Sequence, residues 1–248
     1  MYIMFKKEGE LLSELVLRAR SEHSVPENIS ITYAGRLDPM ASGVMALLVG
    51  TEEIKTKNEF LTLPKTYEFE ILFGVSTDTH DVLGMVNAVH VEEHMLHVEK
   101  VKEICIKYSN KTYTQKYPAY SSKPVNGTPL FELSKKGIQV ELPEHSVTLY
   151  SLEHFEINTY TGAQVADNAI TRIQKVSGDF RQSESIQKWT EFKNEHADEK
   201  FECVRMCASV SSGTYIRVLA CDIARELGTI ACAYSIVRTK VGEYTVAV

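Results

Sequence analysis

The chain has 248 residues, of which 44% are hydrophobic and 24% are charged, and its net charge is −6. This length and apolar content allow one large domain or two small ones with a substantial core. The acidic balance argues against a protein that grips nucleic acid without sequence preference, although a local basic patch on an acidic body stays open.

Cysteine usage and hydropathy indicate the compartment. Five cysteines, an odd number without a dense framework, favour a reducing environment over a disulfide-stapled secreted domain. The N-terminal apolar run is too short for a signal peptide, and no stretch approaches the roughly 18 apolar residues that a membrane span needs. We therefore expect a cytoplasmic protein without a membrane-spanning segment.

Hydrophobic periodicity predicts the elements in chain order. Apolar residues at helical spacing predict helices over 9–19, 98–108 and 214–227, the last followed by Gly228 as a C-terminal cap. Apolar runs and alternation predict strands over 44–49, 65–74, 85–91, 145–157, 201–211 and 231–246, with a turn at 79–84.

Strands outnumber helices, and some of the links between them are short. The pattern predicts an α+β fold around a mixed, largely antiparallel sheet with flanking helices. Two segments are expected to be irregular: residues 109–130, rich in Ser, Pro, Tyr and Lys, and the polar residues 158–200, interpreted as a surface insertion. No linker divides the chain, so residues 1–248 are expected to form one domain.

Metal and nucleotide sites have little support in the sequence. His94 and His97, and Cys203 and Cys207, are the only His or Cys pairs at ligand-like spacing. The histidines lie in a polar stretch without a second pair of ligands nearby. The cysteines are four residues apart on a predicted strand, too far to chelate one ion easily, so buried structural cysteine is the better interpretation of Cys203 and Cys207. No phosphate-binding glycine-rich loop is present. We expect neither a metal nor a nucleotide cofactor.

A carboxylate stands in a stiff turn in YAGRLDPMASG, residues 33–43. Gly35 and Gly43 bracket Asp38, and Pro39 restricts both its own backbone and that of Asp38. Taken alone, this pattern fits an ordinary turn aspartate. A fixed carboxylate is also what a catalytic acid, base or nucleophile requires.

Two more residues gain interest from their position. Arg217 lies in the first turn of the predicted helix 214–227, where the helix dipole disfavours a cation, and this indicates an anionic partner. Tyr67 begins the apolar face of the predicted strand 65–74. A surface arginine and a core tyrosine remain open as alternatives.

Five ordered blocks of the sequence resemble the motifs of the bacterial tRNA pseudouridine-55 synthase family, the TruB type. The blocks are GRLDPMASGVMALLVG, KTYEFEILFGVSTDTHDVLG, QKYPAYSSKPVNGTPLFELSKKGI, SSGTYIRVLACDIARELG and YSIVRTKVGEY. The resemblance implies a pseudouridine-synthase-like sheet with a central RNA-binding cleft. It also implies an isomerase that converts a uridine in the tRNA T-loop to pseudouridine without a cofactor.

The same resemblance assigns roles to individual residues. Asp38 matches the catalytic aspartate, Tyr67 the tyrosine that stacks on the flipped base, and Arg217 the arginine that pairs with the aspartate. We expect Arg217 to hold Asp38 charged and oriented, because an adjacent guanidinium offsets the effect of burial on a carboxyl group. Three further matches in the substrate site are Lys65, Tyr215 and Val237, the last as the apolar wall of the uracil pocket.

Contact with RNA is expected from cations interleaved with aromatic rings in the segment of about 109–137, which corresponds to the family's RNA-clamping loop. The candidates are Lys111, Lys116, Lys123, Tyr113, Tyr117 and Tyr120.

The chain departs from the family pattern at several places. Tyr33 replaces a histidine that helps to splay the RNA loop, Arg36 replaces a small residue, and the N-terminal block is reduced to FKKEGELLSE. We expect a monomer without the C-terminal accessory RNA-binding domain. A noncatalytic tRNA-binding or folding module, and a synthase for another RNA, stay open as alternatives.

Overall fold

The computed structural model of the protein describes residues 1–91 and 96–246. Its elements are β1 (Tyr2–Lys6), α1 (Leu12–Glu22), β2 (Ile31–Ala34), β3 (Ala41–Val49), α2 (Gly50–Lys55), α3 (Lys57–Thr62), β4 (Lys65–Phe73), β5 (Val75–Thr77), β6 (Val86–Val89), α4 (Val98–Tyr108), β7 (Lys111–Lys116), β8 (Pro124–Val125), β9 (Thr128–Pro129), α5 (Leu130–Lys135), β10 (Glu144–Thr161), α6 (Gly162–Ile173), α7 (Gln182–His196), β11 (Lys200–Val210), α8 (Ile216–Glu226) and β12 (Ala231–Val241).

Eight strands form the central sheet in the order β1-β3-β12-β4-β11-β10-β7, with β2 paired to β3. Every neighbouring pair is antiparallel except β3 and β12, which run parallel. The predicted α+β class with a mixed, largely antiparallel sheet is confirmed. No helix within the described ranges is long and apolar enough to cross a membrane.

The two faces of the sheet carry different cores. The alternation predicted for β4 buries Tyr67, Phe69, Ile71 and Phe73. They pack on one face with apolar side chains of α1, α4 and α8. The other face packs against α6 and α7 around Trp189, which is fully buried. The sheet lies between these two layers of helices, and the turn that contains Asp38 precedes the first residue of β3.

The segment 109–130 is more regular than the sequence predicted. Residues Lys111–Lys116 form β7, an edge strand paired with β10, and a short hairpin follows, with β8 paired to β9. Asn126 and Gly127 form its turn with φ values of 50° and 82°, as expected for an Asn-Gly hairpin. The prediction of irregular structure was wrong here because an edge strand exposes half of its residues and tolerates polar composition.

The prediction that residues 158–200 are irregular was also wrong. Strand β10 continues to Thr161, and α6 and α7 then pack against the sheet. The buried side chains Val165, Ala169 and Ile173 recur at helical spacing, so a narrow apolar stripe is hidden in a polar composition. Trp189 is anchored by a 2.9 Å hydrogen bond from its Nε1 to the carbonyl of Val82.

The structure describes only part of the two pairs at ligand-like spacing. His94 lies outside the described residues. Cys203 is buried and Cys207 is partly exposed, and both are free thiols. Within residues 1–91 and 96–246, no group of three or more His, Cys, Asp or Glu side chains could hold a metal ion.

Candidate active site

Asp38 lies in the turn that joins β2 to β3. Its carbonyl accepts a 3.1 Å hydrogen bond from the N–H of Ala41, which closes the turn. Gly43 has a φ of +122°, and a Cβ atom there would lie 2.2 Å from the carbonyl oxygen of Arg238. Only glycine lets β3 approach β12 this closely. The pairing of β3 with β12 therefore requires the glycine at position 43.

Lys6, the last residue of β1, supports this turn through hydrogen bonds to its backbone. Its side chain is fully buried, and its Nζ donates to the carbonyls of Ala41 at 2.7 Å, Lys7 at 3.1 Å and Pro39 at 3.2 Å. Burial lowers the pKa of Lys6 to about 8, although the carboxylates of Glu10 and Asp38 oppose this shift. The ammonium group therefore ties β1 to the backbone that follows Asp38.

Arg238 supports the same turn from β12. Its side chain is 1% exposed. Nε donates to the carbonyl of Val44 at 2.8 Å, and Nη2 donates to the carbonyl of Gly35 at 3.2 Å. We call Lys6 and Arg238 the loop floor, because both cations bond to backbone carbonyls beneath the turn of Asp38.

Arg217 holds the carboxylate itself. Its Nε donates to Asp38 Oδ2 at 2.8 Å, and its Nη2 donates to Asp38 Oδ1 at 3.3 Å. The arginine side chain is 3% exposed, whereas that of Asp38 is 41% exposed. This two-point contact joins residues 179 positions apart and leaves part of the carboxylate open to solvent. It also supplies the anionic partner that the helix position of Arg217 indicated.

Three further groups surround the same guanidinium. Nη1 donates to the carbonyl of Thr79 at 2.5 Å, and Nη2 donates to the carbonyl of Tyr120 at 3.2 Å. The carboxylate of Asp81 lies 3.7 Å from Nε. Burial lowers the pKa of Arg217, but the charges of Asp38 and Asp81 outweigh it and raise the pKa overall. Arg217 is thus a permanent cation held from four sides.

Asp81 is a buried carboxylate that the sequence did not single out. Its Oδ1 accepts from the hydroxyl of Thr79 at 2.6 Å and from the N–H of Leu83 at 3.1 Å. Burial raises its pKa, the nearby charge of Asp38 adds to the rise, and Arg217 opposes it. The sequence signal for this carboxylate was the run of polar residues TDTHD, residues 77–81, but such a run is also typical of an ordinary turn.

The start of α8 brings Tyr215 to the same place. Its N–H donates to Gln115 Oε1 at 2.8 Å, and its carbonyl accepts from Gln115 Nε2 at 3.2 Å, so β7 caps the helix. The Tyr215 ring meets Tyr117 and His145 edge-on, with centroids 5.7 and 6.1 Å apart. Burial and the charge of Asp38 raise the pKa of Tyr215.

The strand register separates Tyr67 from Val237. Tyr67 pairs with Arg238, and Val237 pairs with Glu68. Because paired residues share a face and successive residues alternate, Val237 lies on the opposite face from Tyr67. Val237 was predicted as the apolar wall of the uracil pocket in which Tyr67 stacks on the base, and this shared placement is wrong because the two residues lie on opposite faces of the sheet. The apolar residue on the Tyr67 face is Ile236, which is 7% exposed.

Lys65 was expected to contact substrate, and the structure corrects this. Its side chain is buried, and its Nζ donates to the carbonyls of Leu61 and Leu63 at 2.7 Å and of Phe60 at 3.3 Å. Burial lowers its pKa to about 8. All three donors of the ammonium group are used at the end of α3, so none is left for RNA.

The other predicted contact residues lie around the site with different partners. Lys123 Nζ stands 4.9 Å from the centroid of the Tyr117 ring, which stacks on His145 at 4.2 Å. Lys116 is exposed and lies 3.8 Å from the carboxylate of Glu144.

Tyr33 and Tyr120 both meet cations through their rings. The cations of Arg36 and Lys57 lie 5.9 and 5.6 Å from the ring centroid of Tyr33. Tyr33 and Arg36, two of the departures from the family pattern, are therefore in contact. The ring of Tyr120 lies 4.4 Å from the guanidinium carbon of Arg181, while its carbonyl serves Arg217.

Fold and site together define a class of protein in which a mixed sheet carries a partly exposed aspartate that is held by a buried arginine. Solved structures share this fold at low sequence identity. A Cbf5-Nop10-Gar1 complex contains a chain matched with a TM-score of 0.59 and 15% identity, covering 99% of this chain and 50% of that one. An H/ACA RNP bound to a substrate RNA containing 2′-deoxyuridine is matched with a TM-score of 0.56 and 14% identity, covering 99% of this chain and 49% of that one.

The sequence comparisons are more specific. The model of the TruB family pseudouridylate synthases, N-terminal domain, matches residues 26–179, and the chain belongs to this family. The tRNA pseudouridine synthase B of Aquifex aeolicus is 30% identical over 241 residues, which are 97% of this chain and 68% of that protein. That of Caldicellulosiruptor saccharolyticus is 29% identical over 219 residues, 87% and 59% of the two chains. The chain thus spans about three fifths of the length of such relatives.

Proposed function

We propose that this protein is an isomerase that converts a uridine in the T-loop of tRNA to pseudouridine, with Asp38 as the catalytic carboxylate. One observation carries the proposal most directly. The Asp38 carboxylate accepts two hydrogen bonds from a guanidinium that is 3% exposed, while it is itself 41% exposed. A carboxylate that is oriented from the protein side and open on the other is ready to meet a substrate.

The chemistry requires a fixed anion at the ribose. Pseudouridine formation breaks the N1–C1′ glycosidic bond, turns the base, and joins C5 to C1′, and C5 then loses its proton while N1 gains one. A carboxylate beside C1′ acts as a nucleophile or as a base toward the sugar. Arg217 stays charged at every working pH, so it stabilises the ionised form of Asp38 and limits the positions that its oxygens adopt.

The base also needs a surface on which to rest once it leaves the RNA stack. Everting a nucleotide costs a few kcal/mol, and stacking on an aromatic ring returns about 1–3 kcal/mol. We assign this stacking to Tyr67 and the apolar wall beside it to Ile236, which shares its face of the sheet. Such a wall excludes water from a detached base.

The RNA itself is proposed to contact cations and rings outside the pocket. Lys123 with Tyr117, and Tyr33 with Arg36 and Lys57, pair positive charge with aromatic faces. This combination suits the unpaired nucleotides of an RNA loop. The relatives with about 30% identity are named for tRNA, which supports tRNA as the substrate. We further propose that the protein acts in the cytoplasm as a monomer.

The test is incubation of the purified protein with an unmodified tRNA transcript, followed by mapping of pseudouridine. We expect one modified position, in the T-loop, and none in a transcript whose T-loop uridine is replaced by cytidine. Modification of a different RNA alone would replace tRNA as the substrate. Tight tRNA binding without any pseudouridine would support a noncatalytic binding module and contradict the proposal.

A further inference from the structure

Arg181 stands at an unusual point of the α6–α7 connection. It immediately precedes α7, and its backbone is left-handed, with φ 62° and ψ 33°. This region is unfavourable for a side chain other than glycine, asparagine or aspartate. A residue held in such a conformation is stabilised by its surroundings, and strain of this kind is concentrated at functional sites.

The surroundings of Arg181 are two side chains from distant parts of the chain. Its Nη1 donates to Asp78 Oδ2 at 2.7 Å, and its guanidinium carbon lies 4.4 Å from the centroid of the Tyr120 ring. The side chains of Arg181 and Asp78 are only 18% and 23% exposed. Both contacts are therefore partly shielded from solvent, where they are stronger than at the surface.

These two contacts lead directly to Arg217. Tyr120 supplies one carbonyl to the guanidinium of Arg217, and Thr79, the neighbour of Asp78, supplies the other. Arg181 thus joins the two segments whose backbones orient the arginine that grips Asp38. A nearby contact joins the α6–α7 connection to α5, since Lys135 Nζ donates to the carbonyl of Asp179 at 3.2 Å.

We propose that Arg181 is a positioning residue of the reaction: it fixes the carbonyls of Thr79 and Tyr120 that orient Arg217, and through Arg217 it orients Asp38. This inference rests on the proposed function for its effect on turnover. It gives the α6–α7 hairpin a role at the site, although the hairpin packs on the opposite face of the sheet. Arg181 itself contacts neither the ribose nor the base.

The test compares Arg181→Asn with a matched control. Asparagine removes the guanidinium and tolerates the left-handed backbone. The control is Arg205→Gln, because Arg205 also has a 2.7 Å ion pair, with Glu68, and an aromatic neighbour, Phe155, but neither of these partners contacts Arg217 or Asp38. For each variant we would measure the single-turnover rate at saturating tRNA, the dissociation constant for tRNA, and the solvent exchange of the Arg217 Nε–H by NMR.

We expect Arg181→Asn to lower the single-turnover rate about 10- to 100-fold, the size of effect that a small misplacement of reacting groups produces. The tRNA dissociation constant should stay within about twofold, because a positioning residue does not contact RNA. Exchange of the Arg217 Nε–H should accelerate about tenfold or more. Arg205→Gln should change none of these, and Arg181→Lys should recover part of the rate, because it keeps the ion pair with Asp78.

Two results would overturn the proposal. One is an Arg217 exchange rate in Arg181→Asn equal to that of the control, which decides the matter even if the wild-type protein modifies no RNA and the proposed function fails. The other is weaker tRNA binding with a normal rate at saturation, which would make Arg181 an RNA contact. If Arg181→Asn does not fold, Asp78→Asn removes the same ion pair, keeps an oxygen for the Met85 N–H, and should show the same signature.

Discussion

Buried cations lie on both sides of the Asp38 turn, and they differ in their partners. Arg217, above the turn, bonds to a carboxylate that stays 41% exposed. The loop floor, Lys6 and Arg238, bonds to backbone carbonyls of residues 35–44. The difference shows that burial of a charge does not by itself mark a catalytic group. A cation on carbonyls holds the backbone, whereas a cation on a half-open carboxylate prepares an anion for chemistry.

The pKa shifts follow the same division. The carboxylates around Arg217 raise its pKa despite burial. Burial dominates at Lys6 and lowers its pKa to about 8. Lys65, whose three carbonyl partners resemble those of Lys6, also has its pKa lowered to about 8 by burial. Lys65 therefore resembles Lys6 of the loop floor, since its buried ammonium bonds to backbone carbonyls and holds the chain in place.

The largest expected effect separates the site from the loop floor. Asp38→Asn should lower the rate of pseudouridine formation by about 10⁴-fold or more, the order found when a catalytic carboxylate is lost, because the amide has no charge. Binding of tRNA should remain within a few fold. Single-turnover kinetics and filter binding measure the two quantities. If Asp38→Asn lowered the stability of the fold but kept the wild-type rate in its folded fraction, Asp38 would be a structural residue and not the catalytic carboxylate.

The loop floor should show the reverse pattern. Arg238→Met should lower the free energy of unfolding by about 4 kcal/mol, because the buried carbonyls of Val44 and Gly35 lose their donor at about 1–3 kcal/mol each. Urea denaturation measures the loss, with the exposed Arg205→Met as the control. A change below about 1 kcal/mol would show that the turn does not depend on this support.

His80, a basic group near Arg217, predicts that the free energy of unfolding depends on pH. Burial, with the charges of Arg217 and Arg225, lowers the pKa of His80 to about 4 from 6.5. Between these values the unfolded chain binds a proton that the folded protein does not. The free energy of unfolding should therefore fall as the pH drops from 6.5 to 4, by up to about 3 kcal/mol.

Replacement of His80 isolates that contribution. His80 has a φ of 66°, so His80→Asn preserves a residue suited to the backbone and removes the titrating group. Urea denaturation across pH 4–7 should give a flatter profile for the variant than for the wild type. Parallel profiles would mean that His80 does not carry the dependence.

The smallest expected effect compares two lysines that the motifs treated alike. Lys123→Gln should weaken tRNA binding about three- to tenfold and reduce the slope of log affinity against log salt by about 0.7–0.9, the value for one lost phosphate contact. Lys65→Met should leave both unchanged, because its ammonium is used by three carbonyls. A salt titration of tRNA binding distinguishes them, and equal slopes for both variants would contradict this assignment.

The local patterns were sufficient for the long strands of the central sheet and for three of the helices. The alternation in 65–74 predicted β4, and the apolar spacing in 98–108 and 214–227 predicted α4 and α8 within two residues at each end. These periods are set by the geometry of strands and helices, so they are visible without knowledge of the partners. The same patterns missed the α6–α7 hairpin, because its buried stripe is narrow and its surroundings are polar.

The sequence by itself determined that Asp38 sits in a stiff turn, that Arg217 needs an anion, and that the ordered motifs belong to a pseudouridine synthase family. Only the tertiary structure decided that these two residues are each other's partners, that Asp81, Thr79 and Tyr120 complete the setting, and that the ammonium of Lys65 is used by the backbone. It also placed Ile236, and not Val237, on the face of the sheet that carries Tyr67, since one step along a strand moves a side chain to the other face. The physical reason is that local sequence sets backbone geometry, whereas the meeting of charges depends on sheet register and on contacts between residues far apart in the chain.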